Sequence, residues 1–366
     1  MAFTSLCTAS FRNLADAKIN IAAKEVFLIG KNGQGKTNFL EALYYCSYAS
    51  SFRGVKDSEI VRQGETSFSA IAELSLNRHI LIKTENAKKN IMLDGKKILD
   101  RKDLLRIIPT IIFCHEDMEF VCGSQERRRW FFDQTQSLYD PVYLDDLRKY
   151  RRILKTRNIV LKEVKTGRNY KNAEELLDAI DPQMAEYGTR LMEKREAAAK
   201  QFSAVFTPLY KDVSGIDGIT INYAPSWKTA KILQLLTERR EADMVQGISL
   251  TGPHRDKYVF LRSNITKDFS GNTSTGQRRL LALLLRVAQA RCFTGLSGKT
   301  PVLLLDDVLL ELDGEKRRRF LSVMPDYEQA FFAFLPEEPY KDYYKPGTLV
   351  YQVSSGVIRS EKAESA

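Results

Sequence analysis

An apolar run from Glu25 to Ile29 leads into Gly30-Lys31-Asn32-Gly33-Gln34-Gly35-Lys36-Thr37, and a helix-forming stretch, NFLEALYY, follows at once. This is G-x-x-x-x-G-K-[ST] in the strand-then-helix setting that makes the string a phosphate-binding loop. Glycines let backbone N–H groups close around phosphate, and the helix N-terminus adds its dipole. Lys36 is placed to reach β- and γ-phosphates and the Thr37 hydroxyl to ligate Mg²⁺. The loop from Gly30 to Thr37, with Asn38 behind it, is therefore the candidate ATP site, and the chain is expected to be α/β.

A second element fits the first. Val302-Leu303-Leu304-Leu305 is an apolar strand ending in Asp306-Asp307. A Walker B strand needs one acid near Mg²⁺ and another near the attacking water. Asp306 is the candidate Mg²⁺ residue with Thr37, and Lys36, Asp306 and Asp307 form the candidate catalytic set. Upstream, Ser274-Thr275-Gly276-Gln277 opens the apolar helix Arg278–Cys292. Ser274 and Gln277 have capping-box spacing, so one reading is a helix cap. The other is an ABC signature, in which Ser274, Gly276 and Gln277 meet the γ-phosphate held by another subunit.

Composition narrows the function class. Lys plus Arg number 56 against 46 Asp plus Glu, a net +10 that favours a polyanionic partner. Hydrophobic residues at 43% and charged residues at 28% argue against wholesale disorder. The five cysteines include no C-x-x-C and read as reduced, mostly buried thiols. The N-terminus lacks a signal-peptide pattern, and the apolar stretch Leu280–Leu285 is broken by Arg286, so a cytoplasmic chain without membrane contact is expected.

The pattern predicts a discontinuous head: an N-terminal part over 1–112, a mainly helical lobe over 113–245, and a C-terminal part over 246–366. Met92–Lys97 reads as a hairpin whose Asp94-Gly95 suits a type I′ turn. Apolar residues recur at helical spacing from Leu144 to Leu161, while Arg148, Lys149, Arg151, Arg152, Lys155 and Arg157 take the other faces. After a polar bend at 166–172, a second helix starts at Ala173, giving a short antiparallel arm. Alternation from Val213 to Tyr223 reads as strand, and Ser355–Ala366 as a polar tail. Arg148, Arg151, Arg152 and Lys155 are candidate DNA contacts, with a solvated helix face as the plain alternative.

Together the strings resemble the RecF family, short-armed bacterial relatives of the SMC proteins. The resemblance is carried by Phe11-Arg12-Asn13-Leu14, the P-loop, Ser51-Phe52-Arg53, Glu116-Asp117 with Gly123-Ser124 and Arg127-Arg128. It continues through Gly252-Pro253-His254-Arg255-Asp256, Ser274–Arg278, Leu304–Asp307 and Glu311-Leu312-Asp313. It implies an ABC-type P-loop ATPase head with an inserted helical lobe and an ATP-dependent homodimer at single-strand/double-strand junctions and gapped DNA. It further implies weak, DNA-stimulated hydrolysis, recombinational gap repair and replication in the DNA-damage (SOS) response, and cooperation with RecR and RecO to load RecA. Arg12 and Asn13 would sit by the nucleotide, or simply end a surface strand, and Asp313 would belong to the D-loop across the dimer.

Several positions depart from the family pattern. Thr275, Leu310 and Lys257 replace commoner residues, Gln329–Phe334 lacks a polar γ-phosphate sensor, and no Q-loop glutamine can be placed. His79 and His115 read as structural, and His254 has no derivable role. A transporter's nucleotide-binding subunit and a nucleotide-gated interaction module with negligible hydrolysis are the competing functions. The separation of Lys36 from Ser274 exceeds what a transporter head needs and falls far short of a long SMC arm.

Overall fold

The computed structural model describes the whole chain except residues 86–87, 168–171, 264–267, 309–311, 313 and 362–366. The first part of the chain contains β1 (Phe3–Ala9), β2 (Ala17–Asn20), β3 (Glu25–Ile29), α1 (Lys36–Tyr48), β4 (Phe68–Leu74), β5 (Arg78–Glu85), β6 (Lys88–Leu93), β7 (Lys96–Lys97), α2 (Lys102–Ile107) and β8 (Thr110–Phe113). The middle contains α3 (Met118–Cys122), α4 (Gln125–Tyr139), α5 (Pro141–Lys165), α6 (Ala173–Ser214), β9 (Ile219–Ala224), α7 (Ile232–Gln246) and β10 (Lys257–Arg262). The last part runs through α8 (Thr275–Ser297), β11 (Val302–Leu305), α9 (Gly314–Ser322), β12 (Gln329–Phe334), β13 (Leu349–Ser354) and β14 (Val357–Ser360).

Two compact units result, one from Met1–Asp117 with Leu283–Ala366 and one from Met118–Ala282. In the first unit, β3, β12, β11, β8 and β13 pair in parallel in the order β13-β3-β12-β11-β8, with β14 added antiparallel at the edge. Each of β3, β8, β11 and β12 is buried throughout, as strands of a covered parallel sheet must be. A second, antiparallel sheet runs β2-β1-β4-β5-β6-β7 and presents alternate residues such as Phe68, Ala70 and Ala72 to the core. Helix α1 is apolar on almost every side because it packs between the sheets, where Phe39, Leu40 and Leu43 join Phe3, Val26 and Leu28 in one cluster. Gln329 locks this arrangement, since its amide donates to the Phe3, Ile21 and Ala23 carbonyls and accepts from the Phe3 N–H at 2.8 Å. The expected hairpin is present, with Asp94 at φ 50° and Gly95 at φ 76°.

The second unit is built on the antiparallel pair α5 and α6, with α7 laid against both. Asp140 caps α5 through the Tyr143 N–H, and Tyr143, Tyr150, Met184, Leu191 and Trp227 form the seam. A Cβ on Gly188 would lie 2.3 Å from the Trp227 ring, so only glycine admits the indole there.

Three expectations need correction. The helical lobe does not close at residue 245, because β10 pairs antiparallel with β9 from Lys257↔Ala224 to Arg262↔Ile219 and carries the chain to Ala282 within the second unit. Residues 213–214 end α6, with Gly215 at φ 73° as its cap, and the strand starts only at Ile219. The C-terminal segment is no mere tail, since Val357–Ser360 pairs with β13. Among the cysteines, Cys46, Cys114 and Cys292 are buried, Cys7 half-buried and Cys122 exposed, all as free thiols.

Candidate functional site

Parallel strands deliver their chemistry at their carboxyl ends. In the first unit β3 ends at the P-loop, β11 at Asp306-Asp307 and β8 at Cys114–Asp117, so three chain-distant segments converge on one edge. The Asp306 N–H donates to the Phe113 carbonyl at 2.9 Å and the Gly30 N–H to the Phe334 carbonyl at 3.1 Å, fixing their levels.

The loop is shaped by its glycines. A Cβ on Gly30 would stand 2.4 Å from the Val353 carbonyl oxygen, and Gly35 opens α1 at φ 118°. Lys31, Asn32 and Gly33 form the exposed crown. The buried Lys36 ammonium donates to the Gly30 carbonyl at 2.7 Å and the Lys31 carbonyl at 3.3 Å, and lies 3.6 Å from Asp307 Oδ1. The Thr37 hydroxyl donates to Asp306 Oδ1 at 2.8 Å. Burial, reinforced by the adjacent Asp307 charge, pushes the Asp306 carboxyl up to about 7. Burial also raises Asp307, against the pull of Lys36, and Asp307 is held at φ 51° with Oδ1 buried and accepting no hydrogen bond.

Two of the flanking candidates separate. Asn13 sits on the loop, accepting from the Asn38 amide at 2.7 Å and donating to the Gly33 carbonyl at 3.3 Å. Arg12, at φ 48°, turns instead to the fully buried Glu41 of α1, donating from Nε at 3.0 Å and Nη2 at 3.1 Å. Its Nη1 donates to the Glu59 carbonyl at 2.6 Å. Arg12 thus steadies α1 beside the loop.

Several further groups stand at this edge. Arg53 donates to Asn38 at 3.2 Å, lies 3.6 Å from Glu41 and draws the Asp306 pKa down, whereas Glu116 after β8 pushes it up. Beside Glu116, the buried Asp117 is clamped by Arg286 of α8 at 2.7 and 3.0 Å. Glu338, after β12, accepts the Leu335 N–H at 2.7 Å; burial raises its pKa, and Arg317, Asp307 and Lys36 all act on its charge. A carboxylate therefore follows the strand in which no polar γ-phosphate sensor was found. The C-terminal hairpin supports the loop directly, because the Ser355 N–H donates to the Gln34 side chain at 2.7 Å and the Gly356 N–H to the Gln34 carbonyl at 2.8 Å.

In the second unit, Ser274 and Gln277 form a reciprocal cap at 3.1 and 3.3 Å at the start of α8, with Ser274, Thr275 and Gly276 exposed. A Cβ on Gly276 would meet nothing within 4 Å, so packing within this chain does not require glycine there. Leu310, Glu311 and Asp313 lie outside the described residues. On α5, Arg148, Arg151, Arg152 and Lys155 are all exposed; Arg151 reaches Asp133 at 3.2 Å and Arg148 approaches Asp145 at 4.0 Å. Arg157, assigned above to a remaining face of the helix, is fully buried between Asp181 at 2.7 Å and Asp243 at 2.6 Å.

The Gly252–Asp256 string now has a role. His254 accepts from the Tyr150 hydroxyl at 2.8 Å and donates from Nε2 to the Ser249 carbonyl at 3.0 Å, and burial pulls its pKa down to about 4, so the ring is neutral. Asp256 receives Arg195 at 2.9 Å, the Ser226 N–H at 2.8 Å and the Tyr223 hydroxyl. Arg195 also forks onto Asp133 at 2.8 and 3.1 Å. The string is the polar hub of the second unit.

Residues 2–342 match the model of the RecF/RecN/SMC N-terminal domain. The chain is 43% identical to the DNA replication and repair protein RecF of Treponema pallidum, over 95% of this chain and 98% of that one. It is 30% identical to the RecF of Leptospira interrogans over 98% of each. A solved structure described as the recombination mediator protein RecF with ATP in the RecFOR pathway superposes with a TM-score of 0.88 at 27% identity, covering 98% of this chain and 97% of that one. An Smc head from Pyrococcus furiosus, at 14% identity and a TM-score of 0.54, shares the fold.

Proposed function

This chain belongs to the RecF family of DNA replication and repair proteins, and on that premise we propose that it is a weak, DNA-stimulated ATPase that dimerises on ATP at single-strand/double-strand junctions of gapped DNA. The observation that carries the reading is the convergence of Lys36, Thr37, Asp306 and Asp307 at one sheet edge. Family membership removes the transporter alternative.

The residues present fit Mg²⁺. Thr37 and Asp306 oxygens lie 2.8 Å apart, the Asp306 carboxyl is held near 7 by burial, and Oδ1 of the neighbouring Asp307 faces Lys36 at 3.6 Å. A hydroxyl and one carboxylate beside substrate phosphates are the usual protein share of a Mg²⁺ site. Bound there, Mg²⁺ would neutralise charge on the β- and γ-phosphates. Lys36 supplies the P-loop cation. Asp307 takes the proton as the water oxygen bonds to the γ-phosphorus and the bond from that phosphorus to the β–γ bridging oxygen breaks, burial raising its basicity.

The signature reading of Ser274, Gly276 and Gln277 is supported by exposure and by a glycine that its own chain does not need. The Ser274 hydroxyl, the Gly276 amide and the N-terminus of α8 would meet a γ-phosphate bound by a second copy, with Asp313 in the D-loop of that dimer. Exposed Arg148, Arg152 and Lys155 supply one charged face for phosphates of DNA. RecR, RecO and indirectly RecA follow as proposed partners, in the cytoplasm.

Phosphate release measured with and without gapped duplex tests the function. DNA stimulation is expected; turnover at the blank level under both conditions would favour a nucleotide-gated interaction module.

A further inference from the structure

Arg128 of α4 is 5% exposed, yet its guanidinium meets four acceptors. Nη1 donates to the Tyr258 carbonyl at 3.0 Å and to the Asp268 carboxylate, while Nη2 donates to the Val121 carbonyl at 2.6 Å and the Ser270 hydroxyl at 2.8 Å. The guanidinium also lies over the Phe260 ring at 4.8 Å. One side chain thereby ties α3 and β10 to residues 268–270.

Those residues run directly into Ser274. Asp268 Oδ1 accepts from the Ser270 N–H at 3.0 Å and the Ser270 hydroxyl at 2.7 Å, and the Thr273 hydroxyl donates to the Ser270 carbonyl at 3.2 Å. Among the residues of this segment whose burial is described, Phe269, packed on Tyr210, and Ser270 are the buried ones, and charge-assisted hydrogen bonds to Arg128 anchor its course. A lysine there keeps the charge but has no planar fork to bridge separate acceptors.

We infer that Arg128 is a positioning residue for the signature, setting the Asp268–Ser274 segment so that Ser274 faces the nucleotide of a second copy. The inference rests on the shared-site reading above. A role in unit stability alone would lower every property together, whereas a positioning role assigns the defect to one side of a shared site.

The test uses full-length Arg128→Lys, with Ser270→Ala as the milder variant that carries the test if the first folds poorly. Each is assayed for ATP binding alone and for DNA-stimulated hydrolysis alone and mixed with Lys36→Met or Ser274→Arg. Expected are unchanged ATP affinity, hydrolysis reduced about tenfold or more for Arg128→Lys and several-fold for Ser270→Ala, recovery with Lys36→Met, and none with Ser274→Arg. The mixture of Lys36→Met with Ser274→Arg is the control, and its failure to recover overturns the shared-site reading and this inference with it. Recovery in the control, but not when the folded variant is mixed with Lys36→Met, overturns the inference alone. So does wild-type hydrolysis by Arg128→Lys.

Discussion

The Thr37 hydroxyl donates to Asp306 Oδ1 across 2.8 Å, joining the last residue of the P-loop to the end of a strand two places away in the sheet. Because Asp306 is buried beside Asp307, this contact sits on a carboxyl that titrates near 7.

Mg-dependent ATP affinity is therefore expected to fall below neutrality. A carboxylate must lose its proton to take the cation, so affinity should weaken by about tenfold per pH unit below 7 and level off above 8. The sign for stability is opposite. With a folded pKa near 7 against the ordinary 3.8 of an aspartate, the fold binds this proton more tightly than the unfolded chain, so stability without nucleotide declines as pH rises between those two values. Titrating a fluorescent ATP analogue from pH 6 to 8, alongside thermal melts, checks both trends. Asp306→Asn should flatten them, and a pH-independent affinity in the unaltered protein would sink the assignment.

Lys36 and Asp307 should divide binding from chemistry. Lys36→Met keeps the volume but removes the buried cation, at a cost of about 2 kcal/mol, or roughly thirtyfold in ATP affinity. Asp307→Asn should bind ATP within about twofold of the unaltered protein and hydrolyse it ~10²–10⁴-fold more slowly. Binding isotherms and single-turnover rates separate the two. Equal loss of affinity in both variants contradicts the division.

The exposed face of α5 is testable through salt. Arg148→Glu, Arg152→Glu and Lys155→Glu together leave Arg151 to its partner Asp133 and leave the buried Arg157 untouched. If the face tracks phosphates, DNA affinity should drop across all sequences, and the slope of log K against log salt should flatten by roughly 3. An unaltered slope would return the helix to a solvated surface.

Chemistry was legible where it is written in contiguous residues. The P-loop and the Walker B strand are local strings whose context, an apolar strand before each, is local too. What escaped is long-range. A basic run on a helix looks alike whether each charge is solvated or buried, and nothing near Arg157 announces that Asp181 and Asp243 will close around it. That Arg12 pairs with Glu41 was equally hidden, because Glu41 is an ordinary acid inside a helix whose burial only the two sheets create. Glu338 is a single acid without pattern, brought to the site by strand order. The second unit's limit moved because β10 pairs back onto β9, a register that periodicity alone cannot choose.

The C-terminal hairpin offers the sharpest test of how the loop is held. Gly356 has φ 78°, and a Cβ there would fall 1.8 Å from the Asn13 carbonyl oxygen, a contact with backbone that no rotamer relieves. Gly356→Ala must therefore shift either the hairpin or the Asn13 segment. Both touch the P-loop, the hairpin through Gln34 and Asn13 through Gly33 and Asn38. ATP affinity should fall about tenfold, together with a loss of stability of about 1–3 kcal/mol. The left-handed backbone by itself carries a penalty, so a control must share it without the clash. Gly347, at φ 87° with nothing within 4 Å of its Cβ position, provides that control. Gly347→Ala should cost about 1 kcal/mol of stability and leave ATP affinity unchanged. Nucleotide titrations and thermal melts on both variants decide the matter: equal effects on affinity, or none in Gly356→Ala, would show that the hairpin does not hold the loop.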